Sequence, residues 1–280
     1  MMKRKRGLLV CVCVLLLLAA VAAVALDQRI IVREYTVEAG LARPVRIAVL
    51  TDTHGCDFGP YGAELVRLVA DQEPDMIFLV GDMISPDGDY DEELQFFRLL
   101  KNTAYGTFYV TGNHEYWEVG DPQEMLRWIR DTGVIVLDNA GTSVFYDGAH
   151  LNISGVSDPC AADRGDVLPL AERLELSLSA ARKDTFTVLL AHRPEQIGQY
   201  AADGRFDLVI SGHAHGGQVR IPGLINGLCA PDQGWFPEYA GGRYEVDGTT
   251  MIVSRGLSTQ AQWYVPRIFN RPELVIITLE

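Results

Sequence analysis

Basic residues are scarce in this 280-residue chain, which has 24 Lys and Arg against 37 Asp and Glu and a formal net charge of −13. Four of the basic residues stand at positions 3–6, so 20 of the 24 remain for the rest of the chain. Nucleic-acid-binding proteins need basic surface to displace the counterions of the phosphate backbone. The composition therefore argues against a nucleic-acid partner. It leaves anionic substrates open, because bound metal ions can reverse the local sign of the charge.

Several catalytic and structural patterns are also lacking. Of the five cysteines, Cys11 and Cys13 lie in an N-terminal apolar run, and Cys56, Cys160 and Cys229 form no C-x-x-C pair. No disulfide framework is predicted from an odd number of unpatterned cysteines. The chain has no G-x-S-x-G elbow and no Walker-type glycine loop, which argues against a serine nucleophile and a P-loop.

One long apolar run is present at the N-terminus. Residues 7–26 carry no charge and follow basic residues, and 20 such residues are enough to span a bilayer. The basic flank predicts that the start of the chain stays in the cytoplasm and that the remainder lies outside. Residues 1–26 are thus expected to form a membrane anchor or signal segment. We favour an uncleaved single-pass anchor in the cell membrane; export after cleavage at the small residues 23–25 is the alternative.

The rest of the chain alternates between strand-like and helix-like patterns. Residues 27–43 suit a stalk with an entering strand. Apolar runs typical of strands then recur at 46–52, 76–82, 107–112, 134–139, 151–156, 186–192, 208–213, 250–256 and 274–280. Helical periodicity appears at 61–72, 91–102, 122–131 and 170–182. Continuous apolar strands alternating with helices predict one α/β domain over residues 44–280.

Residue types that bind metals follow strand after strand. The runs end in TDTHG, VGDM, TGNHE, LAHRP and SGHAHGG, which contain five of the six histidines. Each motif alone is usually a turn or a loop. The carboxyl ends of strands in an α/β sheet form a ligand-binding crevice. The occurrence of all five motifs after strands therefore predicts that they share one site. The candidates are Asp52, His54, Asp82, Asn113, His114, His192, His213 and His215.

The chemistry of this set favours two metal ions. Carboxylates, a carboxamide and imidazoles form a mixed oxygen and nitrogen set that suits Zn, Mn or Fe. Without His114 the set has seven protein ligands, more than one catalytic ion with an open position accepts. They match two divalent ions that share a bridging carboxylate.

In this order, over Val45–Gly217, the five motifs resemble those of the calcineurin-like metallophosphoesterase superfamily. The resemblance implies two mixed β-sheets packed as a sandwich flanked by helices, with metals at the strand ends. It implies that Asp82 bridges the ions and that His114 stabilises or protonates the departing oxygen. It also implies one ion on Asp52, His54 and His215, and the other on Asn113, His192 and His213.

The resemblance further implies hydrolysis of a phosphoester by a metal-bridging hydroxide. The chain lacks the G-D-x-x-D-R-G block of protein phosphatases. Its segments GHAHGGQ, SRGL and PRIFNRPEL look like those of bacterial membrane-associated phosphoesterases. We therefore expect the substrate to be a small-molecule or lipid-linked phosphoester outside the cytoplasm. Alternatives are a nucleotide phosphodiesterase or a non-catalytic scaffold of the same fold. Arg193 is a candidate surface or substrate contact, and Glu115 a candidate for orienting the imidazole of His114. Aromatic candidates for the rim or core are Tyr200, Trp235, Phe236, Tyr239 and Trp263.

Overall fold

The computed structural model describes residues 2–84, 90–117, 120–259 and 265–280. Seven α-helices and fourteen strands lie in these ranges. The helices are α1 Met2–Ala25, α2 Ala63–Ala70, α3 Asp91–Lys101, α4 His114–Trp117, α5 Pro122–Asp131, α6 Leu170–Ser177 and α7 Ile197–Asp203. The strands are β1 Ile31–Val37, β2 Val45–Leu50, β3 Met76–Val80, β4 Gly106–Val110, β5 Ile135–Val136, β6 Ala140–Tyr146, β7 Ala149–Gly155, β8 Thr187–Leu190, β9 Leu208–Ser211, β10 Cys229–Ala230, β11 Gly234–Trp235, β12 Gly242–Val246, β13 Thr249–Val253 and β14 Glu273–Leu279.

Two six-stranded mixed sheets form the centre of the fold. The first sheet has the order β1-β14-β2-β3-β4-β5, and only the β14–β2 pair is antiparallel among its described pairs. The second sheet has the order β12-β13-β9-β8-β7-β6, with antiparallel pairs at both edges. β10 and β11 form a separate hairpin. The carboxyl ends of the parallel strands therefore meet at one edge of each sheet.

The alternating direction of side chains along the strands explains why the first sheet has an apolar core on each face. Ile47 and Val49 of β2 pack between the two sheets with residues of β8 and β9, whereas Ala48 and Leu50 face α2, α3 and α5. Successive side chains of a strand point to opposite faces, so a strand covered on both sides is apolar throughout. On the other side, α6 and α7 cover the second sheet. The predicted sandwich flanked by helices is confirmed.

Some elements differ from the sequence expectation. The run at 134–139 forms only a two-residue strand, β5, and is followed by β6, which the sequence did not reveal. The helix expected at 170–182 ends at Ser177, and α7 was not predicted. β6 and β12 are edge strands whose residues are all half-buried or exposed, so their sequences lack the apolar pattern that reveals a strand.

α1 lies apart from the layers. Arg6–Ala25 is the one helix in the described part of the chain that is long and apolar enough to cross a membrane, a test that a signal sequence also passes. Most of its side chains are exposed, but Ala25 is buried. The carbonyl of Ala25 accepts a hydrogen bond of 2.7 Å from the backbone N–H of Phe269. The end of the helix is thus fixed to the domain.

Candidate metal centre

The loops after five parallel strands converge between the carboxyl ends of the two sheets. Asp52 and Asp82 each stand two residues after the end of β2 or β3, and His192 and His213 stand two residues after β8 and β9. Asn113 follows β4. The structure buries the seven predicted ligands at this place: Asp52, His54, Asp82, Asn113, His192, His213 and His215.

In the part of the chain that the structure describes, three groups of side chains have the spacing of metal ligands, and the two fully buried groups have one carboxylate in common. Asp52, His54, Asp82 and His215 each offer a ligand atom within 4.8 Å of the others, and Asp82, His192 and His213 form a second such group. Oδ2 of Asp82 lies 3.6 Å from Nε2 of His54 and 3.2 Å from Nε2 of His192. The Asp82 carboxylate therefore lies between the two groups.

Asn113 and His114 border a cavity of about 170 Å³ beside these groups. The cavity is also lined by Asp82, Trp117 and Asp232. The side chain of His114 is 22% exposed, and its Nε2 lies 3.9 Å from Oδ2 of Asp82. Its ring meets that of His54 edge-on, with centroids 4.4 Å apart. His114 thus lies at the mouth of the site, more exposed than the seven predicted ligands.

The backbone at the site is unusual. Asp52, His54, Asp82, His213 and His215 all have positive φ, between 47° and 64°. This left-handed region is uncommon for residues other than glycine and costs conformational free energy, so it persists only where the surroundings impose it. Local hydrogen bonds supply that constraint: the N–H of Asp52 donates to the Gly81 carbonyl at 3.0 Å, and the N–H of His213 donates to Oδ1 of Asp52 at 3.1 Å.

Glu115 holds two of the site loops together. Its carboxylate accepts hydrogen bonds from the backbone N–H groups of Asp82, Met83 and Gly112, at 2.9, 2.8 and 2.7 Å. The sequence makes Glu115 a candidate for orienting the imidazole of His114; in the structure its carboxylate joins the loop after β3 to the loop after β4. Burial, and then the charge of Asp82, raise the pKa of Glu115 to about 7.

The electrostatics favour a bound cation. Burial opposes ionisation of Asp82, but the imidazoles of His192 and then His54 hold its pKa well below the usual value. Burial alone would lower the pKa of His192, but Asp82 raises it to about 10. Burial, and then the neighbouring His54, hold the pKa of His215 well below its usual value. Positive charge beside Asp82 therefore stabilises the site, and divalent cations supply such charge.

Two buried atoms fit a metal ion as their partner. Nδ1 of His192 lies 2.8 Å from the Val80 carbonyl and donates its proton to it, which leaves Nε2 facing Oδ2 of Asp82. Among the described residues, Oδ1 of Asn113 has no hydrogen-bond partner, and the side-chain contact of Nε2 of His192 is with Oδ2 of Asp82 at 3.2 Å. Buried polar atoms are rarely left unsatisfied. A metal-ligating His commonly binds a backbone carbonyl through its second nitrogen, and the residues present fit divalent ions.

Three further residues at the site escaped the sequence analysis or were misread. Oδ2 of Asp232 lies 2.8 Å from Nε2 of His213. Arg193 is buried rather than a surface contact, with Nε donating to Oδ2 of Asp158 at 2.6 Å and Nη1 bonded to Asp232. Trp117 lies beside His114 with ring centroids 5.5 Å apart. Asp232 and Trp117 lie outside the strand-end motifs, so spacing along the chain could not reveal them.

The aromatic candidates divide between core and surface. Tyr200 is buried, whereas Trp235 and Phe236 are exposed at the end of the β10–β11 hairpin, whose turn contains Asp232. Tyr239 packs partly buried against the core beneath the second sheet. Trp263 lies outside the described residues. Exposed aromatic side chains therefore occur close in sequence to the site residue Asp232.

Comparison with known proteins decides the family. The model of the family described as calcineurin-like phosphoesterase matches residues 45–217. The chain belongs to the calcineurin-like phosphoesterase family. The matched range begins at the first residue of β2 and ends two residues after His215, so it contains every predicted ligand.

Several relatives carry the family name. An uncharacterized metallophosphoesterase of Campylobacter jejuni is 32% identical over 86% of this chain and 60% of its own length. One of Aquifex aeolicus is 30% identical over 89% of this chain and 91% of its own length. A bovine transmembrane protein with metallophosphoesterase domain is 29% identical over 84% of this chain and 53% of its own length. Two uncharacterized metallophosphoesterases of Helicobacter pylori are also similar to this chain. The chain spans about three fifths of the length of these two proteins and of the Campylobacter jejuni relative.

A solved structure supports the fold. The NAD nucleotidase of Haemophilus influenzae superposes with a TM-score of 0.51 at 15% identity, over 78% of this chain and 51% of that chain. At this identity the similarity concerns the fold alone.

Proposed function

We propose that the protein is a phosphoester hydrolase that uses two divalent metal ions. The observation that carries the proposal is the pair of buried ligand groups that share Asp82. Asp52, His54 and His215 would hold one ion, and Asn113, His192 and His213 the other. When bound, two such ions supply Lewis acidity toward the phosphate and lower the pKa of water that attacks it. Mn, Fe and Zn all suit this set of oxygen and nitrogen donors.

The protein residues would position the ester and its leaving group. His114 lies at the mouth of the site, close to Asp82 but more exposed than the ligands. Its imidazole is placed to hold a proton near the departing oxygen, and imidazole suits proton transfer because its pKa lies close to neutral. Trp117, 55% exposed and adjacent to His114, offers an apolar wall for the group attached to that oxygen.

The substrate would be lipid-linked or belong to the cell envelope. The support is the apolar helix α1 and the bovine relative that is named as a transmembrane protein. With the start of α1 in the cytoplasm, the domain at residues 44–280 would work outside it. Two hypotheses compete with this one: that the substrate is a nucleotide phosphodiester, and that the protein binds a ligand without catalysis. The test below distinguishes them.

Metal analysis combined with a panel of phosphoesters tests the proposal. We expect about two divalent ions per chain in the metal-replete protein, and hydrolysis that chelation abolishes and metal restores. The panel contains p-nitrophenyl monoesters and diesters, a nucleotide diester and a phospholipid-linked diester. Faster hydrolysis of the nucleotide than of the lipid ester would favour the competing enzyme. Failure to hydrolyse any ester at full metal loading would favour the scaffold.

The variant Asp82→Ala makes this test specific to the shared carboxylate. It removes the group that both sets of ligands approach, so we expect activity to be lost. The two apolar cores on either side of the first sheet do not contain Asp82, and circular dichroism should show the fold retained. Activity near that of the wild type in metal-replete buffer would contradict a bridging role.

A further inference from the structure

A second set of contacts lies where the end of α1 meets the domain. Besides the bond between Ala25 and Phe269, Nε2 of Gln28 donates to the Arg267 carbonyl at 3.2 Å. Nε of Arg271 donates to the Arg29 carbonyl at 2.8 Å. The segment 267–271 is thus attached to the residues that follow the helix. If α1 spans a membrane, this face of the domain lies at the membrane surface.

A cavity opens beside this attachment. Its volume is about 560 Å³, and Phe269, whose N–H binds the last residue of α1, forms part of its wall. The backbone N–H of Arg220, which also lines the cavity, donates to the Ile268 carbonyl at 2.9 Å. The cavity is therefore built against the residues that hold the end of the helix. It is separate from the cavity of the metal centre, because the two have no lining residue in common.

Three arginines line this cavity: Arg33, Arg220 and Arg255. Glu273 is buried among them, 3.7 Å from Nε of Arg33 and 3.3 Å from Nε of Arg255. Neither Nε atom has a hydrogen-bond partner among the described residues. One carboxylate thus forms ion pairs with two of the three guanidinium groups, through Nε atoms that make no hydrogen bond.

The crowding of like charge also affects Arg220. Burial, and then the charge of Arg255, lower the pKa of Arg220 to about 10, with Arg33 contributing in the same direction. This local excess of positive charge contrasts with a chain whose net charge is −13. An anion bound between the arginines would relieve the repulsion.

An exposed apolar turn borders the same cavity. The N–H of Leu224 donates to the Ile221 carbonyl at 2.9 Å, which closes a turn over Pro222 and Gly223. Leu224 is 84% exposed and Ile221 is 41% exposed, and both line the cavity. An apolar tip next to basic residues is typical of segments that enter the boundary between headgroups and acyl chains.

We propose that this face binds the phosphate headgroup of an anionic phospholipid, with Arg33, Arg220 and Arg255 around the phosphate and Leu224 among the acyl chains. The proposal rests on α1 being a membrane helix, as the proposed function has it. Guanidinium groups suit phosphate because their planar donors match its oxygens. The continuity with α1 favours a lipid over a soluble phosphate, because the helix would hold the cavity at the membrane surface.

The position also links the site to the metal centre. Nη1 of Arg220 donates to the Gly216 carbonyl at 3.3 Å, and Gly216 directly follows His215. A lipid bound at the arginines would therefore hold the loop after β9 close to the membrane. This orientation would present the metal centre to esters carried in the same membrane.

Native mass spectrometry of the full chain in detergent tests the proposal. The probes are phosphatidylglycerol and phosphatidylcholine with matched acyl chains. We expect the wild type to retain phosphatidylglycerol preferentially, and Arg33→Gln or Arg220→Gln to lower that preference roughly fivefold each, the usual contribution of one basic residue at an anionic surface. Arg205→Gln is the control, since Arg205 has a similar exposure to Arg33 but pairs with Asp203 and Glu175.

The outcomes separate this site from the other proposals. Equal retention of both lipids by the wild type would overturn the headgroup site, as would an equal loss in Arg205→Gln and Arg220→Gln. Soluble glycerol phosphate that displaces the lipid completely at equal concentration would point to a soluble anion instead.

Alkaline carbonate extraction of membranes tests separately whether α1 is a membrane helix. Hydrolysis of p-nitrophenyl esters by Arg33→Gln should match that of the wild type, so a failure of catalysis remains distinguishable.

A photo-crosslinking residue at Leu224 gives a second readout of the apolar tip. In nanodiscs of phosphatidylglycerol we expect lipid adducts at this position. The control is the same residue at Leu176, which is 45% exposed on α6. Adducts of equal yield at both positions, or none at Leu224, would contradict insertion of the turn.

Discussion

At the scale of single residues, the loops of the site give neighbouring side chains different tasks. Asn113 is buried against the candidate metal groups, whereas the next residue, His114, reaches the mouth of the cavity. The backbone N–H of His114 donates to Oδ1 of Asp82 at 3.0 Å, which fixes where its side chain begins. The same carboxylate thus faces the imidazoles with one oxygen and holds the loop of His114 with the other.

His114→Ala should separate proton transfer from metal binding. Because the ligand groups do not require His114, we expect metal content close to that of the wild type. Turnover should fall by about 10²–10⁴-fold, the usual contribution of a positioned acid or base. The loss should be smaller for p-nitrophenyl esters, whose leaving group needs less protonation, than for alkyl esters. Equal losses would show that His114 stabilises phosphate charge, and loss of metal would show that it is a ligand.

Asp232→Ala should weaken metal binding without removing a ligand. The contact of Asp232 with Nε2 of His213 leaves Nδ1 as the ring nitrogen available to an ion. Removing such a partner typically costs 10–100-fold in metal affinity or activity. Titration of the chelated protein with Zn²⁺ or Mn²⁺ measures the effect. The control is Asp147→Ala, an exposed carboxylate paired with Arg43; an affinity equal to that of this control would contradict the positioning role.

At the scale of secondary structure, the strands carry the predictable part of the fold. β3 and β9 are buried along their whole length, so their apolar runs reveal them, and polar residues directly after them mark the site. The helix at Pro122–Asp131 was also predictable, because Asp121 accepts hydrogen bonds from the N–H groups of Gln123 and Glu124 at its start. Edge strands such as β12 have no apolar pattern in the sequence, because they are held by pairing with a neighbouring strand. The role of Asp232, on a hairpin loop, depends on its tertiary contact with His213, which no local sequence pattern shows.

Gly212→Ala should disturb the metal centre, because the added Cβ would collide with the loop after β2. A Cβ at this position, just after β9, would collide with Oγ1 of Thr51 and lie 2.5 Å from Oδ2 of Asp52. We expect the free energy of unfolding to fall by about 1–3 kcal/mol, as for overpacked cores, and metal occupancy to fall as Asp52 is displaced. Gly198→Ala in α7 is the control, because nothing lies within 4 Å of its Cβ. Unchanged stability and metal content in Gly212→Ala would contradict this packing argument.

At the scale of the whole molecule, charge and architecture divide the chain into two environments. The chain is acidic apart from its start, yet arginines gather where α1 joins the domain. Two buried acidic residues define the centres of these environments: Asp82 among imidazoles, and Glu273 among guanidinium groups. The first arrangement suits cations and the second suits an anion, so one face of the fold would meet the membrane while the strand ends carry out the chemistry.

Reporter fusions at Glu280 test the topology on which this arrangement depends. The residues at positions 3–6 are basic and α1 carries no charge between positions 7 and 25, and such flanks stay on the cytoplasmic side. We expect a reporter that is active only outside the cytoplasm to work at Glu280, and a reporter that is active only inside to fail. Changing residues 3–6 to Glu should weaken or reverse this preference. If the reporters behave in the same way after residues 3–6 are changed to Glu, the domain itself directs export. If only the cytoplasmic reporter is active on the unchanged chain, the metal centre lies inside the cell.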